Sequence, residues 1–255
     1  MKDWAALRAL RIGCVKYLNA RPLIHGYDGE VVFDHPSALA RELAAGRLDA
    51  ALVPVFEVLR EPHYAIVDGA AVASDGPVHS VVLAYRGELR GVASIALDPA
   101  SMSSVHLLKV LLAEFHGMQP EYRADGEARL LIGNQAIEFR ASPEAQAWRF
   151  LDLGEEWQRQ TGLPFVFAVW ALRPGVGNVR AVAEAFRALA VNGAAHLREI
   201  VSGEKFQDAA FRERYLTQHI RFGLGAREKE GLARYRALLA KWRLIGSDEG
   251  ALQFV

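Results

Sequence analysis

The chain has 255 residues, of which 51% are hydrophobic and 24% charged, enough for one large domain or two lobes with a real core. Thirty basic and thirty acidic residues cancel, so we expect neither a nucleic acid nor an anionic membrane as a partner. No apolar run reaches the roughly 18 residues of a membrane-spanning helix. Charges at Lys2, Asp3, Arg8 and Arg11 interrupt any signal-peptide core, so we expect a cytoplasmic protein, with its oligomeric state left open.

Cys14 is the only cysteine, which excludes an intrachain disulfide and a cysteine-based metal cluster. It lies in an apolar segment, where a free cysteine behaves as a small buried hydrophobe more often than as a nucleophile. The eight histidines are scattered, and the sequence has neither a glycine-rich phosphate loop nor a Gly-x-Ser-x-Gly turn. We therefore expect a site of positioned polar groups, with no metal and no cofactor.

The first predicted strand, residues 12–15, is followed directly by polar side chains. Tyr17, Asn19 and Arg21 fall where an open α/β sheet binds its ligand, at the carboxyl end of a strand. Pro22 disfavours a helical conformation for the residue before it, so we predict an extended or turn segment there. This segment is either a binding site for a small polar anion or an ordinary surface loop.

The rest of the chain alternates between predicted strands and helices, as in an α/β protein. Further strands are predicted at 31–33, 48–54, 64–67, 78–85, 92–97, 130–132, 150–153 and 163–172. Helices are predicted from an N-cap at Ser37 to Gly46, at 56–60, at 105–115, around Trp157, at 178–200, at 206–215 and at 228–244. Residues 215–222 fit a short strand or a loop.

Gly87 and Gly91 interrupt the chain, and we interpret this break as the crossing into a second lobe. The most apolar run, residues 163–172, has strand length and is expected to lead back to the first lobe. The predicted division is therefore lobe 1 at residues 1–86 and 173–255, and lobe 2 at residues 87–172.

Two further polar stretches follow or precede apolar segments. Ser101, Ser103 and Ser104 stand at the start of the predicted helix at 105–115, where free backbone N–H groups and hydroxyls suit a carboxylate or phosphate. Ordinary helix capping would need only one of these serines. Asn134 lies in a predicted polar turn after the strand at 130–132.

Several of these stretches together resemble the chorismate dehydratase family, which serves the futalosine route to menaquinone. The resemblance is carried by Ile12-Gly13, Tyr17-Leu18-Asn19-Ala20-Arg21-Pro22-Leu23, Ser101 to Ser104, Ile132-Gly133, Asp152-Leu153-Gly154 and residues 161–171. It implies a periplasmic-binding-protein type II fold, with two α/β lobes joined by two crossover strands around a ligand cleft. It also implies the reaction, the loss of water from chorismate to give 3-[(1-carboxyvinyl)oxy]benzoate.

The resemblance also suggests roles for individual residues. It places the catalytic asparagine at Asn19 and a cleft serine at Ser80, and it makes Ser103 and Ser104 a clamp for the ring carboxylate. The remaining substrate-binding candidates are Tyr17, Arg21, Ser101 and Asn134. Family members often carry aspartate where this chain has Asn134. Asparagine lacks the negative charge of aspartate, so the resemblance implies only a hydrogen-bonding role for Asn134.

Other interpretations remain open at this point. The base is either the substrate's own enolpyruvyl carboxylate, held by Asn19, or one of His25, His79 and Asp34. The chain could also be a non-catalytic receptor for a small carboxylate. A third alternative is the sibling enzyme, 1,4-dihydroxy-6-naphthoate synthase, although its opening motif differs from the Tyr-Leu-Asn-x-Arg-Pro of this chain.

Overall fold

The computed structural model describes residues 4–246 and 250–255 and sorts the strands into two sheets. The strands are β1 Ile12–Val15, β2 Val31–Asp34, β3 Ala50–Pro54, β4 Ala65–Ser74, β5 Val81–Tyr85, β6 Ser94–Ala96, β7 Glu121–Tyr122, β8 Ala128–Ile132, β9 Arg149–Asp152, β10 Phe165–Leu172 and β11 Gln253–Phe254. The helices are α1 Ala5–Arg8, α2 Pro36–Ala44, α3 Val55–Arg60, α4 Ser103–Phe115, α5 Gly133–Ala141, α6 Leu153–Thr161, α7 Val179–Ala195, α8 Leu197–Gly203, α9 Ala209–Arg214 and α10 Ala226–Lys241. Short 3₁₀ segments cover Leu18–Leu23, Leu89–Gly91 and Pro143–Ala147, and Tyr215–His219 is π-helical.

Each sheet forms the centre of one lobe. The first sheet has the strand order β11-β4-β10-β3-β1-β2, with β1 parallel to β2 and β3 and with β10 antiparallel to β3 and β4. The second has the order β7-β6-β8-β5-β9. This arrangement confirms the α/β class expected from the alternation of strands and helices.

The chain crosses between the lobes at places that differ from the sequence expectation. The sequence division put Val81–Tyr85 in lobe 1 and Phe165–Leu172 in lobe 2, but β5 pairs with β8 and β9, whereas β10 pairs with β3 and β4. The two crossings therefore lie between β4 and β5 and between β9 and β10. Both strands are uniformly apolar, and apolarity predicts burial without saying which partner a strand will pair with.

The aromatic side chains of the C-terminal half form the centre of the core. Tyr235 of α10 packs edge-on against Trp157 of α6 and Phe165 of β10, with ring centroids 5.9 and 4.9 Å apart. All three are almost fully buried and belong to the core. No helix in the described part of the chain is both long and apolar enough to cross a membrane.

Three local expectations differ from the structure. Arg21 and Pro22 lie inside the 3₁₀ segment Leu18–Leu23, where hydrogen bonds from Ala20 N–H to Tyr17 O and from Ile24 N–H to Arg21 O hold the turn on either side of the proline. The predicted polar turn after β8 is instead the start of α5. The N-cap of α2 is His35, and Ser37 lies within the helix.

Candidate active site

A pocket between the two sheets encloses an empty volume of about 560 Å³, including its mouth. Segments from both lobes supply its lining, and many of them are strand ends or helix starts. The lining residues are Val15, Tyr17, Asn19, Pro36, Pro54, Val72, Val78, Ser80, Val81, Ser101, Met102, Ser103, Ser104, Ile132, Gly133, Phe167 and Ala168. Six of the eight predicted site residues are among them: Tyr17, Asn19, Ser80, Ser101, Ser103 and Ser104.

A buried hydrogen-bond cluster occupies one wall of the pocket. The Tyr215 hydroxyl donates to Ser80 Oγ at 2.7 Å, and the side chain of Asn19 also hydrogen-bonds the Tyr215 hydroxyl. Burial raises the pKa of Tyr215 above its ordinary value, while the hydrogen bonds with Ser80 and Asn19 act in the opposite direction. Asn19 Oδ1 is buried and has no hydrogen-bond partner in the described structure.

The Asp152 carboxylate holds the turn that presents Ser80. It accepts the backbone N–H groups of Val78 at 3.0 Å and of His79 at 2.7 Å. His79 has a φ of 66°, a left-handed conformation that is uncommon for a residue other than glycine. The Ser80 carbonyl accepts the N–H of Gly133 at 2.7 Å, so Ser80 is held from both sides.

The start of α4 forms a second polar wall and ties the lobes together. Ser103 Oγ accepts the backbone N–H of Phe56 in the first lobe at 3.1 Å, and the Ser103 carbonyl accepts the Tyr235 hydroxyl at 3.1 Å. The N-cap position of α4 is Met102, and no side chain makes a capping hydrogen bond there. The serines therefore do not serve as the ordinary cap that was the alternative interpretation of this motif.

Tyr17 closes the pocket between β1 and the start of α5. A Cβ atom at Gly133 would lie 2.9 Å from the Tyr17 ring, so any residue other than glycine at position 133 would clash with the ring. The Tyr17 hydroxyl lies 3.4 Å from His35 Nδ1. Burial, with a smaller effect from the Asp98 charge, raises the pKa of Tyr17 to about 12, so this phenol stays protonated near neutral pH.

Two predicted binding residues lie outside the pocket lining. Arg21 turns away because its Nε lies 2.7 Å from Glu204 Oε1 and its guanidinium covers the Phe33 ring at 5.6 Å. Asn134 follows the lining residue Gly133 in the first turn of α5, and its Oδ1 is buried without a hydrogen-bond partner in the described structure.

The three protein groups considered as a base, His25, His79 and Asp34, also lie outside the lining. Burial is the main cause that lowers the pKa of His79 to about 4, and nearby positive charges add to it. Burial also raises the pKa of the Cys14 thiol to about 12, so it is not a nucleophile near neutral pH. Among the described residues, no group of three or more His, Cys, Asp or Glu side chains is placed to hold a metal ion.

Two residues that position the site were not predicted for that role. Asp152 had a recognisable signal, because an aspartate between a strand and a glycine-containing helix start is a typical N-cap, and it does accept from Gly154 and Glu155. Tyr215 had no such signal. It is 135 residues from Ser80 in the sequence, and only the fold brings the two together.

Two α/β lobes with a ligand-sized pocket between them define a protein of the periplasmic-binding-protein-like class. Solved structures of this class share the fold at low sequence identity. A protein from Archaeoglobus fulgidus aligns with a TM-score of 0.69 and 15% identity over 92% of this chain and 98% of its own. The alkanesulfonate-binding protein SsuA from Xanthomonas axonopodis, bound to MOPS, aligns with a TM-score of 0.64 and 16% identity over 96% of this chain and 97% of its own.

Sequence comparison narrows this class to one family. The chain belongs to the menaquinone biosynthesis family, whose sequence model matches residues 10–241. It is 34% identical to a chorismate dehydratase from Thermus thermophilus over 78% of this chain and 82% of that protein. It is 30% identical to a chorismate dehydratase from Campylobacter jejuni over 60% of this chain and 58% of that protein. These matches confirm the resemblance stated from the motifs.

Proposed function

We propose that this protein is a chorismate dehydratase, a cofactor-independent hydro-lyase that forms 3-[(1-carboxyvinyl)oxy]benzoate for menaquinone biosynthesis by the futalosine route. The family membership and the two chorismate dehydratase relatives support this assignment. The observation that carries it is that Asn19, Ser80 and the serines at the start of α4, far apart in sequence, line one pocket. The cytoplasmic location expected from the sequence stays a prediction.

The proposed reaction makes modest demands on the protein. Chorismate loses hydroxide from the ring carbon next to the ether-bearing carbon, and it loses the proton of the ether-bearing carbon. The ring becomes aromatic, so the driving force lies in the substrate, and the protein must orient it and exclude water. A pocket with valine, isoleucine and phenylalanine walls and a few polar groups meets these demands.

The start of α4 is the proposed site for the ring carboxylate. The first turn of a helix has unpaired N–H groups and a favourable dipole, and here no side chain caps them. Ser103 Oγ accepts the N–H of Phe56, which leaves the hydroxyl proton of Ser103 available for a carboxylate. We assign Ser101, Ser103 and Ser104 to this binding role.

The enolpyruvyl carboxylate of the substrate is the proposed base. Asn19 would hold this carboxylate over the C–H bond by donating an amide N–H to it. The position of the protein's own candidates supports this choice, since none of His25, His79 and Asp34 lines the pocket. A pKa of about 4 also makes His79 a weak base near neutral pH.

An assay with chorismate alone tests the proposal. The purified protein is incubated with chorismate without added cofactor, and the products are identified by mass. We expect a product lighter than chorismate by one water, with the absorbance of a substituted benzoate. Unchanged chorismate would contradict the proposed activity.

The same assay, combined with calorimetry of chorismate binding, separates the alternatives. The likeness to the SsuA proteins favours, on fold alone, a receptor that binds a small anion without turnover. Such a receptor would bind chorismate in calorimetry and return it unchanged. The sibling synthase would leave chorismate unchanged and would not bind it at this pocket.

A further inference from the structure

The Tyr215 hydroxyl connects the two side chains to which the proposed reaction assigns chemistry. It lies 2.7 Å from Ser80 Oγ and also hydrogen-bonds the Asn19 side chain. Ser80 is 0% exposed and Tyr215 is 1% exposed, so this contact is closed to bulk water. Hydrogen bonds in such surroundings hold their geometry more strictly than bonds at the surface.

The single proton of Tyr215 sets the direction of these hydrogen bonds. A phenol that donates to Ser80 Oγ has only its oxygen left, so it accepts from Asn19, which must meet it with an amide N–H. The plane of the Asn19 amide is thereby fixed. Its Oδ1 is left as an acceptor, and that atom is buried without a partner in the described structure.

Ser80 is left with the opposite property. Because its oxygen accepts the Tyr215 proton, the Ser80 hydroxyl keeps its own proton for donation. Ser80 and Asn19 both line the pocket, next to apolar residues such as Val78 and Val81. The Ser80 hydroxyl and Asn19 Oδ1 thus present one donor and one acceptor beside each other in apolar surroundings, an arrangement that fits an alcohol hydroxyl. The second amide N–H of Asn19 is left for the enolpyruvyl carboxylate.

We propose that Tyr215 is a positioning residue that orients Ser80 and Asn19 as a subsite for the substrate's leaving hydroxyl group. This inference rests on the proposed function. In the bound substrate the hydroxyl donates to Asn19 Oδ1 and accepts from the Ser80 O–H. As the C–O bond breaks with its electron pair, the Ser80 hydrogen bond stabilises the departing hydroxide. The proton from the ether-bearing carbon passes to the substrate carboxylate, and this proton and the hydroxide together make up the water that is lost.

Tyr215→Phe is the variant that tests this inference. The ring stacks on Phe211 with centroids 5.8 Å apart, and phenylalanine keeps that packing. We expect kcat to fall about tenfold or more, because the hydrogen bond gains strength as charge develops on the leaving oxygen. We expect KM to change by less than about threefold, because the carboxylate contacts that bind the ground state remain.

Tyr64→Phe is the matched control, since Tyr64 is also 1% exposed but does not line the pocket. We expect it to leave kcat unchanged. An unchanged kcat in Tyr215→Phe, or an equal fall in both variants together with a loss of thermal stability, would overturn the inference.

A crystal structure of Tyr215→Phe tests the inference even if chorismate is not the substrate. Failure of the proposed function would appear as absence of turnover in the unmodified protein. In that case the conformations of Ser80 and Asn19 decide the positioning role: we expect one of them to rotate when the phenol is absent. Unchanged conformations of both side chains would overturn it.

Discussion

The Asp152 carboxylate accepts the backbone N–H of His79 at 2.7 Å and thereby fixes the residue before Ser80 in a left-handed conformation. The same carboxylate caps α6 by accepting the N–H groups of Gly154 and Glu155. One buried side chain therefore connects the start of a helix to the placement of a pocket residue. This arrangement makes Asp152 a residue that affects both stability and activity.

We expect Asp152→Asn to lower the free energy of unfolding by about 1–3 kcal/mol, because one backbone N–H would face an amide group in place of a carboxylate oxygen. It should also lower kcat, because the turn at His79 would no longer hold Ser80. Denaturant unfolding and steady-state kinetics measure the two effects. Asp208→Asn is the control: Asp208 caps the short helix α9 at the surface by accepting from Phe211, and asparagine caps a helix about as well as aspartate, so we expect little loss of stability and normal kinetics.

Asn19→Ala and Ser80→Ala should each reduce turnover at least about a hundredfold while the protein stays folded. The reason is that each removes a polar group placed beside the reacting atoms of the proposed substrate. Mass detection of product measures the loss, and thermal unfolding checks the fold. Near-normal turnover in either variant would remove that residue from the mechanism.

Ser103→Ala and Ser104→Ala should mainly raise KM, by about tenfold each, because they would weaken the proposed carboxylate site in the ground state and transition state alike. Ser142→Ala is a matched control, since the Ser142 hydroxyl donates to the Phe139 carbonyl outside the pocket. Steady-state kinetics with chorismate checks this prediction. A fall in kcat at constant KM would instead indicate a role for these serines in the chemical step.

Gly133→Ala should disturb the pocket through Tyr17. Gly133 has a φ of 58°, and the added Cβ would lie 2.9 Å from the Tyr17 ring, so both the backbone and the ring must shift. We expect a large fall in kcat/KM.

Gly162→Ala is the matched control. Gly162 has a left-handed backbone too, with a φ of 71°, but a Cβ atom there would meet nothing within 4 Å. The substitution should cost only about 1 kcal/mol of stability, with normal activity. Equal kinetic effects in the two variants would contradict the assigned role of the ring contact.

Stability should fall as the pH drops below about 6.5, the ordinary pKa of histidine. The pKa of His79 in the folded protein is lowered to about 4, chiefly by burial. Between this pH and about 6.5, His79 is therefore protonated in the unfolded chain and neutral in the folded protein. The loss of stability begins near the pKa of His79 in the unfolded chain and is complete below its pKa in the folded protein. His79→Asn, which tolerates the left-handed backbone, should flatten this part of the stability–pH curve.

His63→Asn provides the comparison for that experiment, because the His63 side chain is 50% exposed. Denaturant unfolding at a series of pH values between 4 and 8 would measure both variants. If the two substitutions changed the curve equally, His79 would not be the group responsible.

The sequence alone predicted much of the local structure. The strand at 12–15 and the helix at 105–115 were expected from residue patterns a few positions long, and the structure has a strand at Ile12–Val15 and a helix at Ser103–Phe115. The polar groups at Tyr17, Asn19 and the α4 serines were also predicted, because each follows or begins an element that neighbouring residues define. Hydrophobic periodicity and turn chemistry are local properties, so a single sequence records them.

Long-range relationships could not be predicted in this way. The sequence motif placed Arg21 in the site together with Asn19, yet its guanidinium pairs with Glu204, a residue far along the chain. The sequence likewise did not show that β5 joins one sheet and β10 the other, because strand pairing depends on segments far apart in the chain.

By itself the sequence determined the class of fold, the family and most of the polar residues around the pocket. Only the tertiary structure decided which strands divide the lobes, where Arg21 points and that Tyr215 meets Ser80. The physical reason is that side-chain periodicity is set by the nearest residues. Strand pairing and buried hydrogen bonds depend instead on which distant segments the whole chain can bring together while burying its apolar surface.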